Sequence, residues 1–139
     1  MKGYLLDTNV VSESRKGRRV NANVAAWLES VDDDDIFLSV LVIGEIRKGV
    51  EQARSKNAVK ARALEAWLTG LEHRYGDRVL PITPLVADQW GRLGAIRPLS
   101  TVDGLLAATA IVYDLTLVTR NVTDVAHTGV NLLNPFTSS

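Results

Sequence analysis

The chain has 139 residues and no net charge, because 16 lysines and arginines balance 16 aspartates and glutamates. This length suits one domain with a real core, and 46% hydrophobic against 23% charged residues excludes a disordered chain. The charge balance excludes a global positive field, so a polyanion would have to be held by a local patch or a metal ion. The absence of cysteine excludes disulfides and thiolate zinc sites.

No stretch of the chain predicts a membrane segment or a leader. The longest apolar run, residues 105–112, is far shorter than a membrane span. The N-terminus reaches Asp7 after only a few apolar residues, too few for the core of a signal peptide. We therefore expect a single cytoplasmic domain over residues 1–139.

The first part of the chain predicts two strands and three helices. Residues 4–6 are an apolar run too short for helical periodicity, and a short helix follows at residues 9–15, ended by a basic loop at 16–19. Asn21 or Asn23 can cap a second helix, which the acidic loop 32–35 follows. Residues 36–38 then form a strand, and Ser39 caps a helix over residues 40–54.

A long amphipathic helix is predicted from Asn57 to Tyr75. Its apolar stripe consists of Val59, Ala63, Ala66, Trp67 and Leu71. Together with the helix before it, this segment is interpreted as an insertion beside the sheet or as a partner surface; internal core is the alternative interpretation.

The last part of the chain completes an alternating pattern. Residues 79–82 form a strand near a sheet edge, because Pro81 cannot donate to a ladder. Thr83 or Pro84 opens a helix that ends near residue 96, and an almost wholly apolar helix spans residues 102–113. A buried strand at 115–118 and a short strand at 131–134 follow. Strands alternating with helices predict a three-layer α/β domain with a mostly parallel sheet.

Asp7 stands directly after the first strand, at the edge where ligands bind in open α/β sheets. Taken alone, it could equally serve as a helix cap. Glu45 is the only charge among residues 40–46 and stands at the border of an apolar stripe, where an acid needs a partner or a metal. Pairing with Arg47 or Lys48 at the surface is the alternative for Glu45.

Asp103 and Asp124 are the remaining candidates. Asp103 lies in the first turn of the apolar helix, where Ser100 and Asp103 also resemble a capping box. Asp124 follows the strand at 115–118 and leaves the same sheet edge that carries Asp7; a one-turn helix started by Asn121 is the alternative there. If all four carboxylates meet, their repulsion requires a divalent cation between them.

Oxygen ligands without cysteine predict Mg²⁺, with Mn²⁺ as a substitute. Such an ion polarises a phosphoryl group and activates water, which is the chemistry of a nuclease. The two histidines, His73 and His127, lie outside the acidic pattern and are interpreted as incidental. Phosphate-cradling glycine motifs are absent from the sequence.

Five stretches in chain order resemble the PIN-domain ribonucleases, and more narrowly the VapC toxins of bacterial type II toxin–antitoxin systems, including FitB-like members. They are residues 6–9 (LDTN), 39–49 (SVLVIGEIRKG), 103–110 (DGLLAATA), 119–124 (TRNVTD) and 134–136 (NPF). The family usually has an aromatic residue after the last acid, where this chain has Val125.

The resemblance implies a PIN-like domain with Mg²⁺-dependent endoribonuclease activity. Its acids correspond to Asp7 and Asp103 as direct ligands, and to Glu45 and Asp124 as ligands of a second ion or through water. Thr119 and Asn9 would orient these groups from behind, and Arg120 would contact substrate phosphate.

The resemblance also implies partners. These are an RNA substrate, a second copy in a homodimer, a cognate antitoxin that inserts a segment near the acids, and operator DNA reached only through that antitoxin. The helices over residues 40–74, with Trp67, are the candidate surface for the dimer or the antitoxin. The basic residues of the 15–19 loop would help to hold RNA, with a solvated loop as the alternative.

Three other interpretations compete. A catalytically silent module would keep the fold only as a binding scaffold. A phospho-acceptor receiver domain needs a pair of acids after its first strand, whereas Asp7 is followed by Thr8 and Asn9. A haloacid-dehalogenase-like phosphatase lacks its second motif aspartate here.

Overall fold

The computed structural model describes residues 3–137 and contains one sheet of five strands, all paired in parallel. The strands are β1 (Tyr4–Leu6), β2 (Ile36–Ser39), β3 (Val79–Leu80), β4 (Thr116–Val118) and β5 (Leu132–Leu133). Their order is β3-β2-β1-β4-β5. The predicted parallel sheet is confirmed, and so is the edge position of β3, which ends at Leu80, before Pro81.

Helices flank this sheet in a three-layer α/β arrangement. They are α1 (Thr8–Ser14), α2 (Ala22–Ser30), α3 (Val40–Arg54), α4 (Ala58–Tyr75), α5 (Pro84–Ile96), α6 (Thr101–Val112) and α7 (Val122–Val125). Helix α3 packs against α4, and α5 packs against α6. The predicted elements are present, with ends that differ by at most two residues. No helix within residues 3–137 has the length and apolar character needed to cross a membrane.

The strand order decides one of the competing interpretations. In a receiver domain the first strand lies between the second and third strands. Here β1 lies between β2 and β4, so that Leu5 pairs with Phe37 on one side and Leu117 on the other. The receiver interpretation is therefore wrong.

The core is formed by the middle of the sheet and the helices on it. Leu5, Leu38, Leu117 and Val118 are at most 2% exposed. Because these residues lie on neighbouring central strands, the carboxyl ends of β1 and β4 are fixed rigidly beside each other. The residues that directly follow these two strands are therefore also held in fixed positions.

The predicted apolar stripe of α4 is right for Leu71 and for Trp67, which packs against the core, and wrong for its other three members. Val59, Ala63 and Ala66 are exposed and Trp67 is half-buried, whereas Ala61, Leu68, Leu71 and Tyr75 are buried. With the half-buried Leu64, the inward residues follow alternating spacings of three and four residues, as expected where one helix packs along another. The large apolar side chains of Val59 and Trp67 led the sequence analysis to predict a face of α4 that is only partly buried.

Candidate metal-dependent nuclease site

Asp7 both caps a helix and occupies the carboxyl edge of the sheet. Its backbone N–H donates to the carbonyl oxygen of Val118 at 2.9 Å, which continues the pairing of β1 with β4 as far as the acid. Its Oδ1 accepts a hydrogen bond from the Thr8 N–H at 2.6 Å, which caps α1. Only 7% of Asp7 is exposed. The helix cap is therefore present, and it does not move Asp7 away from the carboxyl edge of the sheet.

Thr119 and Asn9 surround the other oxygen of Asp7. The hydroxyl of Thr119, a residue only 1% exposed, donates to Asp7 Oδ2 at 2.7 Å and accepts from the Asn121 N–H at 3.0 Å. Asn9 Nδ2 lies 3.4 Å from Asp7 Oδ2 and 3.4 Å from Thr119 Oγ1. These contacts hold the carboxyl of Asp7 in one orientation.

The pKa of the Asp7 carboxyl is raised above its ordinary value of 3.8, chiefly because burial removes water from the charged form. The hydrogen bonds from Thr119 and Thr8 oppose this rise, and the negative charges of Asp103 and Glu45 add to it. Three of the four predicted acids are thus electrostatically coupled. A cation among them would relieve both the burial cost and the repulsion.

Glu45 reaches this site from α3 through Thr8. The Thr8 hydroxyl donates to Glu45 Oε1, which connects α3 to the first turn of α1. Glu45 itself is exposed, so its predicted position at the border of the buried stripe is wrong. The contact with Thr8 was missed in the sequence, because nothing in the local pattern indicates that α1 and α3 approach each other there.

Asp103 lies in the first turn of α6. Ser100 Oγ accepts a hydrogen bond from the Asp103 N–H at 3.2 Å, which confirms the Ser100 cap. Within residues 3–137 the carboxylate of Asp103 makes no return bond to Ser100, so the reciprocal half of the capping box is not formed. The half-buried carboxylate is thus available to other partners.

Asp124 and Arg120 lie on the segment after β4. Asp124 is exposed on α7, where its N–H donates to the Asn121 carbonyl oxygen at 3.2 Å. The structure does not tie it to Asp7 by a hydrogen bond. Arg120 is exposed, and its guanidinium carbon stands 3.8 Å from the centre of the Phe136 ring. The one-turn helix, which was the alternative interpretation of this segment, is present as α7, although the Asn121 side chain does not cap it.

The donor set of this site suits a hard divalent cation. It consists of carboxylate and hydroxyl oxygens, and Mg²⁺ in proteins takes one or two carboxylates while keeping several waters. Oδ1 of Asp7 retains a second lone pair beside its hydrogen bond from the Thr8 N–H. Within the described residues, however, no three acidic or histidine side chains are placed to hold one ion together. The four-carboxylate ligand set therefore stays a prediction.

The histidines lie apart from these contacts. His73 is exposed on α4, and His127 is half-buried in the turn after α7, with its Nε2 buried and unpaired among the residues described. Glu13 on α1, which was not among the predicted site residues, is also buried, and it accepts two hydrogen bonds. Its single charge among apolar and polar neighbours gave no signal of burial in the sequence.

Known proteins are similar in sequence to this chain over nearly its whole length. The model of the PIN-domain family matches residues 4–127. Toxin FitB of Neisseria gonorrhoeae is 32% identical over 95% of this chain and 97% of its own, and VapC ribonuclease Y4jK of Sinorhizobium fredii is 27% identical over 95% and 96%.

Solved structures agree with this relationship. The crystal structure of FitAcB from Neisseria gonorrhoeae superimposes with a TM-score of 0.88 and 31% identity, covering 97% of this chain and 99% of that one. A structure of FitAB bound to an IR36 DNA fragment gives a TM-score of 0.87 and 30% identity, covering 98% and 97%. The chain therefore belongs to the PIN-domain family and, within it, to the VapC and FitB-like toxins.

Proposed function

We propose that this protein is a Mg²⁺-dependent endoribonuclease and the toxic component of a type II toxin–antitoxin system. The observation that carries the proposal is the buried carboxyl of Asp7. It accepts a hydrogen bond from Thr119, and the negative charges of Asp103 and Glu45 disfavour its ionised form. Such an arrangement costs stability unless a cation compensates it. The names of the VapC relatives support hydrolysis of RNA.

The residues divide the work in a definite way. Asp7 and Asp103 would hold the ion directly, whereas Glu45 and Asp124 would act through water or on a second ion. Thr119 and Asn9 keep Asp7 oriented by their hydrogen bonds. When bound, Mg²⁺ or Mn²⁺ polarises the phosphodiester and lowers the pKa of an attacking water. Glu45 is anchored by the Thr8 hydroxyl, which limits its motion relative to Asp7.

A cleft that none of the candidate acids lines is proposed to receive the antitoxin. It encloses about 310 Å³ between α1, α2 and α4, and the ion pair of Arg74 with Asp33 at 2.7 Å lies in its wall. Its apolar lining includes Val11, Leu28, Val31, Trp67 and Leu71. An apolar antitoxin segment inserted there would bury the exposed part of Trp67. Replacing Trp67 by alanine is expected to weaken inhibition by the antitoxin about tenfold while leaving RNA cleavage unchanged.

The homodimer is proposed to form through α5. Leu85 and Ile96 are 71% and 78% exposed on this helix, and exposed apolar side chains in such number favour an interface between copies. Light scattering of the wild-type chain should give the mass of a dimer, and the Leu85→Asp, Ile96→Asp variant should give a monomer. Operator DNA is proposed to be reached only through the antitoxin; the structure of FitAB bound to an IR36 DNA fragment supports DNA binding by such a complex.

The activity is tested by incubating the purified protein with structured RNA and Mg²⁺, with and without EDTA, beside Asp7→Asn and Asp103→Asn. We expect products with 3′-hydroxyl and 5′-phosphate ends, lost in EDTA and in both variants. Asp77→Asn is the matched control, because exposed Asp77 precedes β3 and so lies at the opposite edge of the sheet. Cleavage that persists in EDTA, or in Asp7→Asn, would refute the proposal; a lack of cleavage by the wild type would favour the silent module.

A further inference from the structure

The segment after α1 concentrates positive charge in a chain that has none overall. Residues 8–20 contain four cations, Arg15, Lys16, Arg18 and Arg19, against one acid, Glu13. All four basic residues are exposed. Because the whole protein carries no net charge, binding of a polyanion away from the metal site depends on a local cluster of this kind.

This basic loop is held in one conformation by the buried acid beneath it. Glu13, 7% exposed, accepts hydrogen bonds from Lys16 Nζ and from the Asn21 N–H, each at 2.8 Å. Gly17 makes the turn with a φ of 61°, and the Val20 N–H donates to its carbonyl oxygen at 3.2 Å. Cations presented by a rigid loop lose less entropy on binding than cations on a mobile one.

Arg120 connects this loop to the carboxylate site. It directly follows Thr119, whose hydroxyl donates to Asp7, and its own N–H donates to Asn9 Oδ1 at 3.3 Å. Its guanidinium lies over the Phe136 ring, which holds the side chain on this side of the site.

The surroundings of Glu13 show that Arg120 and the loop are neighbours. The pKa of the Glu13 carboxyl is lowered, first by the hydrogen bond from Lys16 and then by the Asn21 N–H, and the charges of Lys16 and Arg120 contribute as well. The geometry agrees, because Asn9 and Glu13 stand four residues apart on α1 and so lie on one face of that helix. Asn9 accepts the hydrogen bond from the Arg120 N–H, and Glu13 accepts the one from Lys16. Arg120 and the loop therefore lie on a common surface.

We propose that Arg120 and the 15–19 loop form a phosphate-binding path, which holds the backbone of single-stranded RNA as it leaves the Asp7 site. Arg120 is the cation next to the scissile position, and Arg18 and Arg19 hold phosphates farther along. Recognition of this kind is independent of base sequence. RNA is favoured over an acidic protein segment because the path starts at the residues that hold Asp7. The inference rests on the proposed ribonuclease function.

The test measures binding separately from cleavage. Fluorescein-labelled single-stranded RNA of mixed sequence is titrated with the Asp7→Asn protein over a range of salt concentrations. Adding Arg18→Gln and Arg19→Gln should weaken binding on the order of tenfold at 0.1 M salt. The magnitude of the slope of log K against log salt should fall by about 1.4, because each of the two lost phosphate contacts contributes about 0.7. The double variant Lys60→Gln, Arg62→Gln removes the same charge from exposed positions on α4 and should change neither quantity.

The outcomes separate this inference from the proposed function. Unchanged RNA affinity and salt slope in the Arg18, Arg19 variant, with an unchanged circular dichroism spectrum, would overturn the path. Unchanged RNA binding by this variant, together with lost binding of a polyglutamate peptide, would indicate that the loop binds an acidic protein instead. Weakened RNA binding, in a protein whose wild type does not cleave RNA, would support the path while the ribonuclease proposal fails.

Discussion

Replacing Gly104 by alanine should destabilise the protein although it adds a better helix former. A Cβ at this position would lie 2.9 Å from Trp90 Cδ1 and 3.1 Å from Trp90 Nε1. Overpacking of this kind costs about 1 to 3 kcal/mol, whereas alanine gains about 1 kcal/mol over glycine in a helix. We therefore expect a net loss of about 1 kcal/mol, or about 3 to 5 °C in Tm.

The assay is urea unfolding followed by circular dichroism, with Gly91→Ala as the matched control. Gly91 lies on α5 beside Trp90 with no atom within 4 Å of an added Cβ, so alanine there should stabilise by up to about 1 kcal/mol. In a Trp90→Ala background the Gly104→Ala change should become neutral or stabilising, which a double-mutant cycle measures. RNA cleavage should fall with Gly104→Ala, because Asp103 precedes it in α6. Equal stabilisation by both glycine replacements would refute the reasoning.

Three further predictions concern charge. Between pH 3.8 and the raised pKa of Asp7, the carboxyl loses its proton in the unfolded chain but keeps it where it is buried in the folded protein, so stability falls as the pH rises through this range. In EDTA, Asp7→Asn should therefore be more stable than the wild type at pH 7 and close to it at pH 4; equal pH profiles would contradict this. Thr119→Val should raise the pKa of Asp7 further and cost about 1 to 3 kcal/mol by leaving polar partners unpaired, measured by urea unfolding and by an alkaline shift of the cleavage profile. Glu65→Gln, which loses ion pairs to Arg47 and Arg54 at 3.0 and 2.9 Å, should lower Tm slightly in low salt and not in 1 M salt; a loss that persists in high salt would contradict the electrostatic explanation.

Local signals in the sequence were sufficient for most of the fold. Ser39, Asn57 and Ser100 each cap the helix that follows them, as their side-chain chemistry favours. Pro81 correctly indicated an edge strand, because its missing N–H excludes it from a central ladder. These features depend on a few neighbouring residues, so they survive without knowledge of tertiary contacts.

The errors concern contacts between elements far apart in the chain. The face that α4 buries depends on how it packs against α3, and the sequence of α4 alone offers two apolar stripes. The hydrogen bond from Thr8 to Glu45 joins residues 37 positions apart, and no local pattern encodes it. The carboxyl-edge rule of parallel sheets predicted that Asp7 and Asp124 lie at one edge. Glu45 and Asp103 were predicted from their positions on helices, and in the structure the negative charges of both act on Asp7.

Binding of Mn²⁺ followed by isothermal titration calorimetry tests most directly the claim that these acids share a cation. The wild type and the opposite-edge control Asp77→Asn should bind the ion with the same affinity, whereas Asp7→Asn and Asp103→Asn should lose measurable binding and retain the folded circular dichroism spectrum. Mn²⁺ binding of equal affinity in all four proteins would contradict the shared site, and with it the proposed mechanism.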